Sequence, residues 1–173
     1  MASKQTLVSS AQKPAMHTFS QQLAKHLRAV YFGGNWTSVN LQDTLADVTW
    51  QEATRQIDDT NTIATLVYHM HYYVREVTKV LEGGALEAKD KYSFATPNFS
   101  SADEWQAFCD SLWPEARTFA ERIEQLPEDT LQHDFTDPKY GNYFSNLLGI
   151  IEHLHYHLGQ IVILKKVLRK QNT

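Results

Sequence analysis

The chain has 173 residues, of which 42% are apolar, 21% are charged and one is cysteine. This length and composition are typical of a single globular domain with a substantial core. The formal charge of -4 argues against nucleic acid as a partner, because phosphate binding favours a basic face. With Cys109 alone, the chain cannot form an internal disulfide, which fits a reducing compartment.

The N-terminal segment carries no apolar core of the kind that directs export. Residues 1–13 are polar, and we expect them to form a disordered leader ahead of a single domain over residues 14–173. No window of about 18 uncharged apolar residues occurs, so we expect no membrane span. These features favour a cytoplasmic protein with neither nucleic acid nor a membrane as partner.

Apolar residues recur at steps of three and four along four long segments, the period of helices that bury one face. The first segment is predicted to open at Pro14 and to end at Gly33. The second is predicted to begin at Asn61 or Thr62 and to end at Gly83. Both ends carry glycine, the residue that most often closes a helix.

A start signal marks the third helix, and apolar periodicity marks the fourth. Ser101 opens a capping box, and a helix to about Gln125 should follow it. Pro114 lies inside this segment and is expected to kink or split the helix, because it lacks an N–H donor and crowds the preceding turn. The last helix is predicted from about Asn142 to about Arg169.

The connections between these helices differ in character. Residues 36–60 are predicted to hold one or two short helices capped by Asn40 and Thr49, with aromatic anchors such as Trp36 packed on the bundle. Residues 83–100 are polar, and when extended they reach about 60 Å, well beyond the length of roughly 33 Å of a helix of about 22 residues. The third helix could therefore run parallel to the second. We predict an all-α fold, a four-helix bundle with this long crossover between the second and third helices.

The last helix carries a pair of histidines with the spacing of metal ligands. His153 and His157 are four residues apart, so a helix places both imidazoles on one face, one turn apart. Two neutral imidazoles at this spacing can bind one transition-metal ion, and a third ligand must come from another helix. His69 is the best candidate, because it lies at the edge of the apolar stripe of the second helix, whereas His71 falls on the far side.

Plainer interpretations compete with this one. A single helical histidine is more often a core or surface residue, and only the His153/His157 pair makes a metal site an equal alternative. His155 points away from that pair and is expected at the surface or at an interface. Glu152 and His155 match the i, i+3 step of di-iron bundles, but the sequence contains no second Glu-x-x-His step. Cys109 has no visible activating group.

Two polar residues follow the ligand candidates along their helices. Glu76 lies two turns beyond His69, and Gln160 lies one turn beyond His157. Glu76 could orient an imidazole, since ligating histidines usually donate their second N–H to an acceptor. Gln160 could line the site. A solvated glutamate and a glutamine bonded across helices are the plainer alternatives.

Apolar residues flank the histidine row on both sides of the last helix. They are Ile150, Leu154, Ile161, Leu164 and Leu168 on one side and Leu147, Ile151, Leu158 and Val162 on the other. So wide a stripe predicts a helix that is central in the bundle or is also buried by a second subunit.

The chain resembles the DinB-like (damage-inducible) superfamily of metal-binding four-helix bundles from about residue 15 to residue 170. The likeness rests mainly on the pattern H-x-x-x-H-x-G-Q-I that begins at His153, and less specifically on His69 in the second long helix. The resemblance implies that His69, His153 and His157 are the metal ligands. It also implies an up-down-down-up bundle and a homodimer.

The activities of this superfamily are metal-dependent, and the resemblance implies a thiol-dependent transferase or a hydrolase that acts on a small molecule. Three histidines would hold a divalent ion and leave coordination positions open, as catalytic sites do. Zn²⁺ or Ni²⁺ suits an all-imidazole set best, while Fe²⁺ and Mn²⁺ stay open. The alternatives are a non-catalytic stress-related protein and a structural dimeric bundle with a vestigial site.

Overall fold

The computed structural model describes residues 17–171 and shows an all-α protein over this range. Four of its helices are long, and no β-strand occurs among the described residues. The helices are α1 (Phe19–Phe32), α2 (Leu41–Leu45), α3 (Trp50–Thr54), α4 (Ile63–Leu81), α5 (Asp90–Ser93), α6 (Ala102–Glu124) and α7 (Tyr143–Lys170). Two 3₁₀ turns, Thr130–Gln132 and Pro138–Tyr140, precede α7. The leader expected at residues 1–13 lies outside the described residues.

Most helices begin at the predicted positions. Thr62, Ser101 and Asn142 precede α4, α6 and α7, and each side chain accepts a hydrogen bond from the backbone N–H three residues later. Asn40 and Thr49 cap α2 and α3 in the same way, so both predicted short helices are confirmed.

Helix α1 begins later than predicted. Thr18 has an extended backbone and forms a reciprocal capping box with Gln21, which fixes the first helical residue at Phe19. Pro14 itself lies outside the described residues. The extended backbone of Thr18 and its capping box with Gln21 together define the start of the helix.

Two other expectations are wrong in part. Helix α6 is not split at Pro114: it continues through this residue, which lies on the exposed face of the helix, and the expected kink stays a prediction. Trp36 does not anchor the 36–60 connection, since its side chain is 100% exposed. Trp50 does pack against the core as an aromatic anchor of this connection. The buried Trp105 of α6 also holds it, since its indole N–H donates to the carbonyl of Val48 at 2.9 Å.

The core lies where the four long helices meet. Helix α1 packs on α6 and α7, and α4 packs on the same two helices. The largest fully buried side chains come from all four, including Leu27, Met70, Phe119 and Leu154. Helix α4 therefore contacts neighbours on two sides, which decides where its histidines point.

His71 is buried, contrary to the expectation that it faces away from the core. Its exposure is 0%, and it lies on the side of α4 that faces α1 and α6. Tyr31 donates its hydroxyl proton to Nδ1 of His71 at 2.9 Å, and Nε2–H of His71 donates to Glu115 at 2.8 Å. Arg75 holds the same carboxylate at 2.5 Å. The prediction failed because it assumed one buried face for a helix that has two.

Burial sets the charge state of this network. It lowers the pKa of His71 and raises that of Tyr31, so that both side chains are neutral near pH 7. Burial alone would also raise the pKa of Glu115, but hydrogen bonds from His71 and Arg75 outweigh it and hold the value at about 2. The ionised carboxylate thus fixes the tautomer of His71.

Helix α7 is also tied to the short helices at its C-terminal end, and it is unusually apolar. Arg169 pairs with Asp47 and Glu52, and Lys165 pairs with Asp47 as well.

By length and composition, α7 alone among the described helices could cross a membrane, although 39% of its most apolar stretch is buried inside the protein. A core helix passes the same test, so the expectation of no membrane span stays a prediction.

The buried network yields a stability prediction. Replacing Tyr31 with Phe leaves Nδ1 of His71 buried without a donor, which should lower the free energy of unfolding by about 1–3 kcal/mol. Urea denaturation followed by circular dichroism measures the change. Tyr156→Phe is the control, because that side chain is 64% exposed and should change stability little. Equal losses in the two variants would contradict the contribution of the Tyr31–His71 hydrogen bond to stability.

Candidate metal centre

The three predicted ligands meet between α4 and α7. Nε2 of His153 lies 3.0 Å from Nε2 of His69 and 3.0 Å from Nε2 of His157. The three ligand atoms all lie within 4.8 Å of one another, and among the described residues they form the one such group of histidine, cysteine or carboxylate side chains. The structure thus brings together residues that are 84 positions apart in the chain.

The helices determine this convergence. His153 and His157 lie on one face of α7 because their spacing corresponds to one turn, and α4 packs against that face with His69 opposite them. His69 is 6% exposed and His157 is 8% exposed, while His153 is half-buried. The centre is therefore shielded on two sides and open at His153.

Hydrogen bonds on the outer nitrogens fix two of the three imidazoles. The hydroxyl of Ser93 donates to the carbonyl of Asp90 at 2.7 Å, so it must accept from Nδ1–H of His69, which lies 2.7 Å away. Nδ1–H of His157 donates to the side-chain oxygen of Gln160 at 2.7 Å. Both histidines therefore present an unprotonated Nε2 to the centre, the orientation that a metal ligand needs.

The electrostatic environment keeps the cluster uncharged. Burial lowers the pKa of all three histidines. The pKa of His153 falls furthest, to about 4, because of burial and then because of the charges that His157 and His69 would carry. Near pH 7 all three imidazoles are neutral, which is the form that binds metal.

The donor set fits a divalent metal ion. Two nitrogens bound to one ion at about 2.1 Å lie roughly 3.0 Å apart when they subtend about 90°, close to the separations at His153. Without a cation, a proton on Nε2 of His153 could form a hydrogen bond to Nε2 of His69 or to Nε2 of His157, but not to both. The remaining nitrogen would then face Nε2 of His153 without a hydrogen bond. Three histidines therefore lie close enough to hold a metal ion, and further coordination positions would stay open.

Aromatic side chains surround the centre. The ring of Phe94 stacks on His69 with centroids 4.0 Å apart. The ring of Tyr73 meets His69 and His153 edge-on at 5.4 and 5.3 Å, and its hydroxyl donates to Asp90 at 2.8 Å. These contacts restrict how each imidazole can turn.

The sequence predicted only some of the supporting residues. Gln160 lines the site, which was one of its two expected roles, but its hydrogen bond to His157 was not predicted. Glu76 does not contact His69: it pairs with Lys79, because two turns place it about 10 Å farther along the helix. Ser93 was missed, and nothing in the local pattern of the polar crossover marks it.

The other candidates stand apart from the centre. His155 is half-buried, and its pKa is lowered by burial and by the nearby His26. Cys109 is buried, and burial raises its pKa to about 12, so no thiolate forms near pH 7.

Comparison with protein-family models, with characterised proteins and with solved structures gives no match for this chain.

The hydrogen bond to Ser93 predicts a loss of metal affinity. In Ser93→Ala, Nδ1–H of His69 loses its acceptor, and the imidazole ring is no longer held in one orientation. The affinity for Zn²⁺ should therefore fall about 10- to 100-fold. Competition with a chromogenic chelator measures this. Ser111→Ala is the control, because its hydroxyl bonds only within α6, to the carbonyl of Phe108. Unchanged affinity in Ser93→Ala would show that Ser93 does not support the site.

Proposed function

We propose that this protein is a metal-dependent enzyme of the DinB-like type, which acts on a small molecule through His69, His153 and His157. The observation that carries the proposal is the convergence of three neutral imidazoles, two of them with Nε2 held unprotonated by Ser93 and Gln160. A structural core would rarely place two such acceptors against the same third imidazole, because one N–H group can donate well to only one of them.

Contacts between helices support an up-down-down-up bundle as the topology. Between α4 and α6, residue numbers rise together along the interface, which favours a parallel pair. The contacts are Tyr68 with Phe108, His71 with Glu115, and Glu82 with Arg122. Between α4 and α7 the order reverses, since His69 meets His157 and Tyr73 meets His153.

The contacts of α1 support the same arrangement. Phe19 meets Phe144 and His26 lies near His155, which favours α1 parallel to α7. Ser20 bonds to the carbonyl of Leu126 just beyond the end of α6, while Phe32 meets Trp113 in its middle, which favours an antiparallel pair. The long crossover would then join the two parallel helices α4 and α6.

The metal would supply Lewis acidity: a divalent ion lowers the pKa of a bound water or thiol and so provides a nucleophile near neutral pH. The residues of the chain hold and orient this centre. His69, His153 and His157 would hold the ion, Phe94 stacks on His69 and covers that face of the ring, and the ring of Tyr73 makes T-shaped contacts with His69 and His153. A thiol-dependent transfer or a hydrolysis is the reaction class that this arrangement fits. Zn²⁺ or Ni²⁺ is favoured, with Fe²⁺ or Mn²⁺ as further options.

A second candidate, a non-catalytic dimeric bundle, is favoured by the outer face of α7. Leu148, Tyr156, Ile163 and Val167 are exposed and lie within about 100° of one another on this helix. Apolar residues grouped in this way favour an interface, and a homodimer would bury them. The dimer is compatible with the enzyme as well, so the two candidates differ in metal dependence and turnover.

Metal content tests the proposed function. The untagged protein, reconstituted with Zn²⁺ or Ni²⁺ and dialysed, should hold about one equivalent by elemental mass spectrometry, and His157→Ala should hold none. His155→Ala is the matched control on the same helix and should retain the metal. Circular dichroism verifies that each variant folds. Metal retained in His157→Ala would contradict the ligand assignment.

Turnover separates the two candidates. A panel of low-molecular-weight thiols is mixed with the electrophile 1-chloro-2,4-dinitrobenzene, with and without metal. Thiol transfer that requires both the metal and His153 supports the enzyme. A metal-bound protein that turns over no thiol and hydrolyses no ester in a parallel screen supports the non-catalytic alternative.

The outer face of α7 predicts the oligomeric state. Ile163→Glu should convert a dimer into a monomer, because it places a charge in an apolar interface. Sedimentation velocity measures the mass. Ala107→Glu, on the exposed face of α6, is the control and should leave the dimer intact. A monomeric parent protein would rule this interface out.

A further inference from the structure

A cleft of about 420 Å³ opens beside the histidine cluster, between α4, α5 and the first turns of α7. Its lining includes His69 and His153 together with Tyr73, Asp90, Asn146 and Gly149. This volume suits a small molecule. Because the cleft shares two histidines with the candidate metal centre, a ligand in it could reach an ion held there.

Gly149 keeps part of this cleft free of side-chain atoms. It lies inside α7, one turn before His153, where glycine costs about 0.5–1 kcal/mol relative to alanine. A Cβ atom built at this position would meet nothing within 4 Å, so no close packing in the chain requires glycine. The missing side chain instead leaves room in the cleft.

Asp90 gives the cleft its charge. Its Oδ1 accepts from Tyr73 at 2.8 Å, and its negative charge acts on His69 and His153, whose pKa values it raises against the effect of burial. No lysine or arginine lines the cleft among the described residues. Lys89 and Lys91 flank Asp90 in the sequence but lie outside the lining.

We propose that this cleft selects ligands that carry a positively charged amino group, which pairs with Asp90 while another donor atom of the same molecule binds the metal. The inference rests on the proposed function, since it needs an ion at the three histidines. Phosphorylated and carboxylate ligands are disfavoured, because anion recognition uses arginine or lysine and here the ligand would meet a carboxylate. Asn146 and Tyr73 supply neutral polar contacts on either side.

Three small thiols of different charge test the selectivity. The full chain is loaded with Co²⁺ under anaerobic conditions and titrated with cysteamine, 2-mercaptoethanol or thioglycolate, and binding is read from the thiolate-to-cobalt absorption band. Cysteamine should bind roughly three- to tenfold more tightly than 2-mercaptoethanol, and thioglycolate should bind most weakly. The readout is binding and needs no turnover.

Asp90→Asn separates the charge effect from the intrinsic chemistry of each thiol. In this variant the preference for cysteamine over 2-mercaptoethanol should fall by roughly three- to tenfold, whereas Glu87→Gln, which removes a charge from the same crossover outside the cleft, should keep the preference. Gly149→Ala and Gly149→Leu form a graded series, in which Co²⁺ stays bound while thiol binding weakens with Ala and is lost with Leu.

The outcomes distinguish the two proposals. A chain that binds no Co²⁺ overturns the proposed function and this inference together. A chain that binds Co²⁺ but shows the same preference in Asp90→Asn as in the parent overturns the selectivity alone. Undiminished thiol binding in Gly149→Leu overturns the assignment of the cleft. Loss of preference in Asp90→Asn, with the preference kept in Glu87→Gln, supports the inference.

Discussion

The burial of α4 on two sides is the constraint on which the rest of the structure depends. His69 faces α7 and the candidate metal centre, while His71, two residues later, faces α1 and α6 and the buried Tyr31–Glu115 network. A helix is rigid over two residues, so the rotation that satisfies one histidine also positions the other. The network behind α4 therefore stabilises the orientation in which His69 meets His153 and His157.

Features of the structure that depend on neighbouring residues in the chain could be predicted from the sequence. Capping residues at Asn40, Thr49 and Ser101 located α2, α3 and α6, because a side chain that accepts from a nearby N–H acts within one turn. The pairing of His153 with His157 followed from helical spacing alone. His69 was identified from the edge of an apolar stripe, and the structure brings it to the predicted neighbours.

Residues that depend on tertiary packing could not be predicted in the same way. Ser93 and Asp90 reach the site only because the crossover folds back over α4, which no local pattern encodes. His71 was misplaced because periodicity defines one buried face, whereas α4 has two. Pro114 is tolerated because it faces water, a fact that depends on how α6 packs. In each case the missing information is the identity of a neighbouring helix.

The hydrogen bond from His69 to Ser93 makes the crossover part of the site. Opening of α5 would remove the acceptor from His69 and so weaken the binding of an ion at the centre. Local unfolding of this segment and release of the ion would therefore be thermodynamically coupled. An ion at the centre would slow amide hydrogen exchange in residues 90–93, and the rate of metal exchange would follow the opening rate of a four-residue helix. A segment that looks like a linker would thereby set the kinetic lability of the metal.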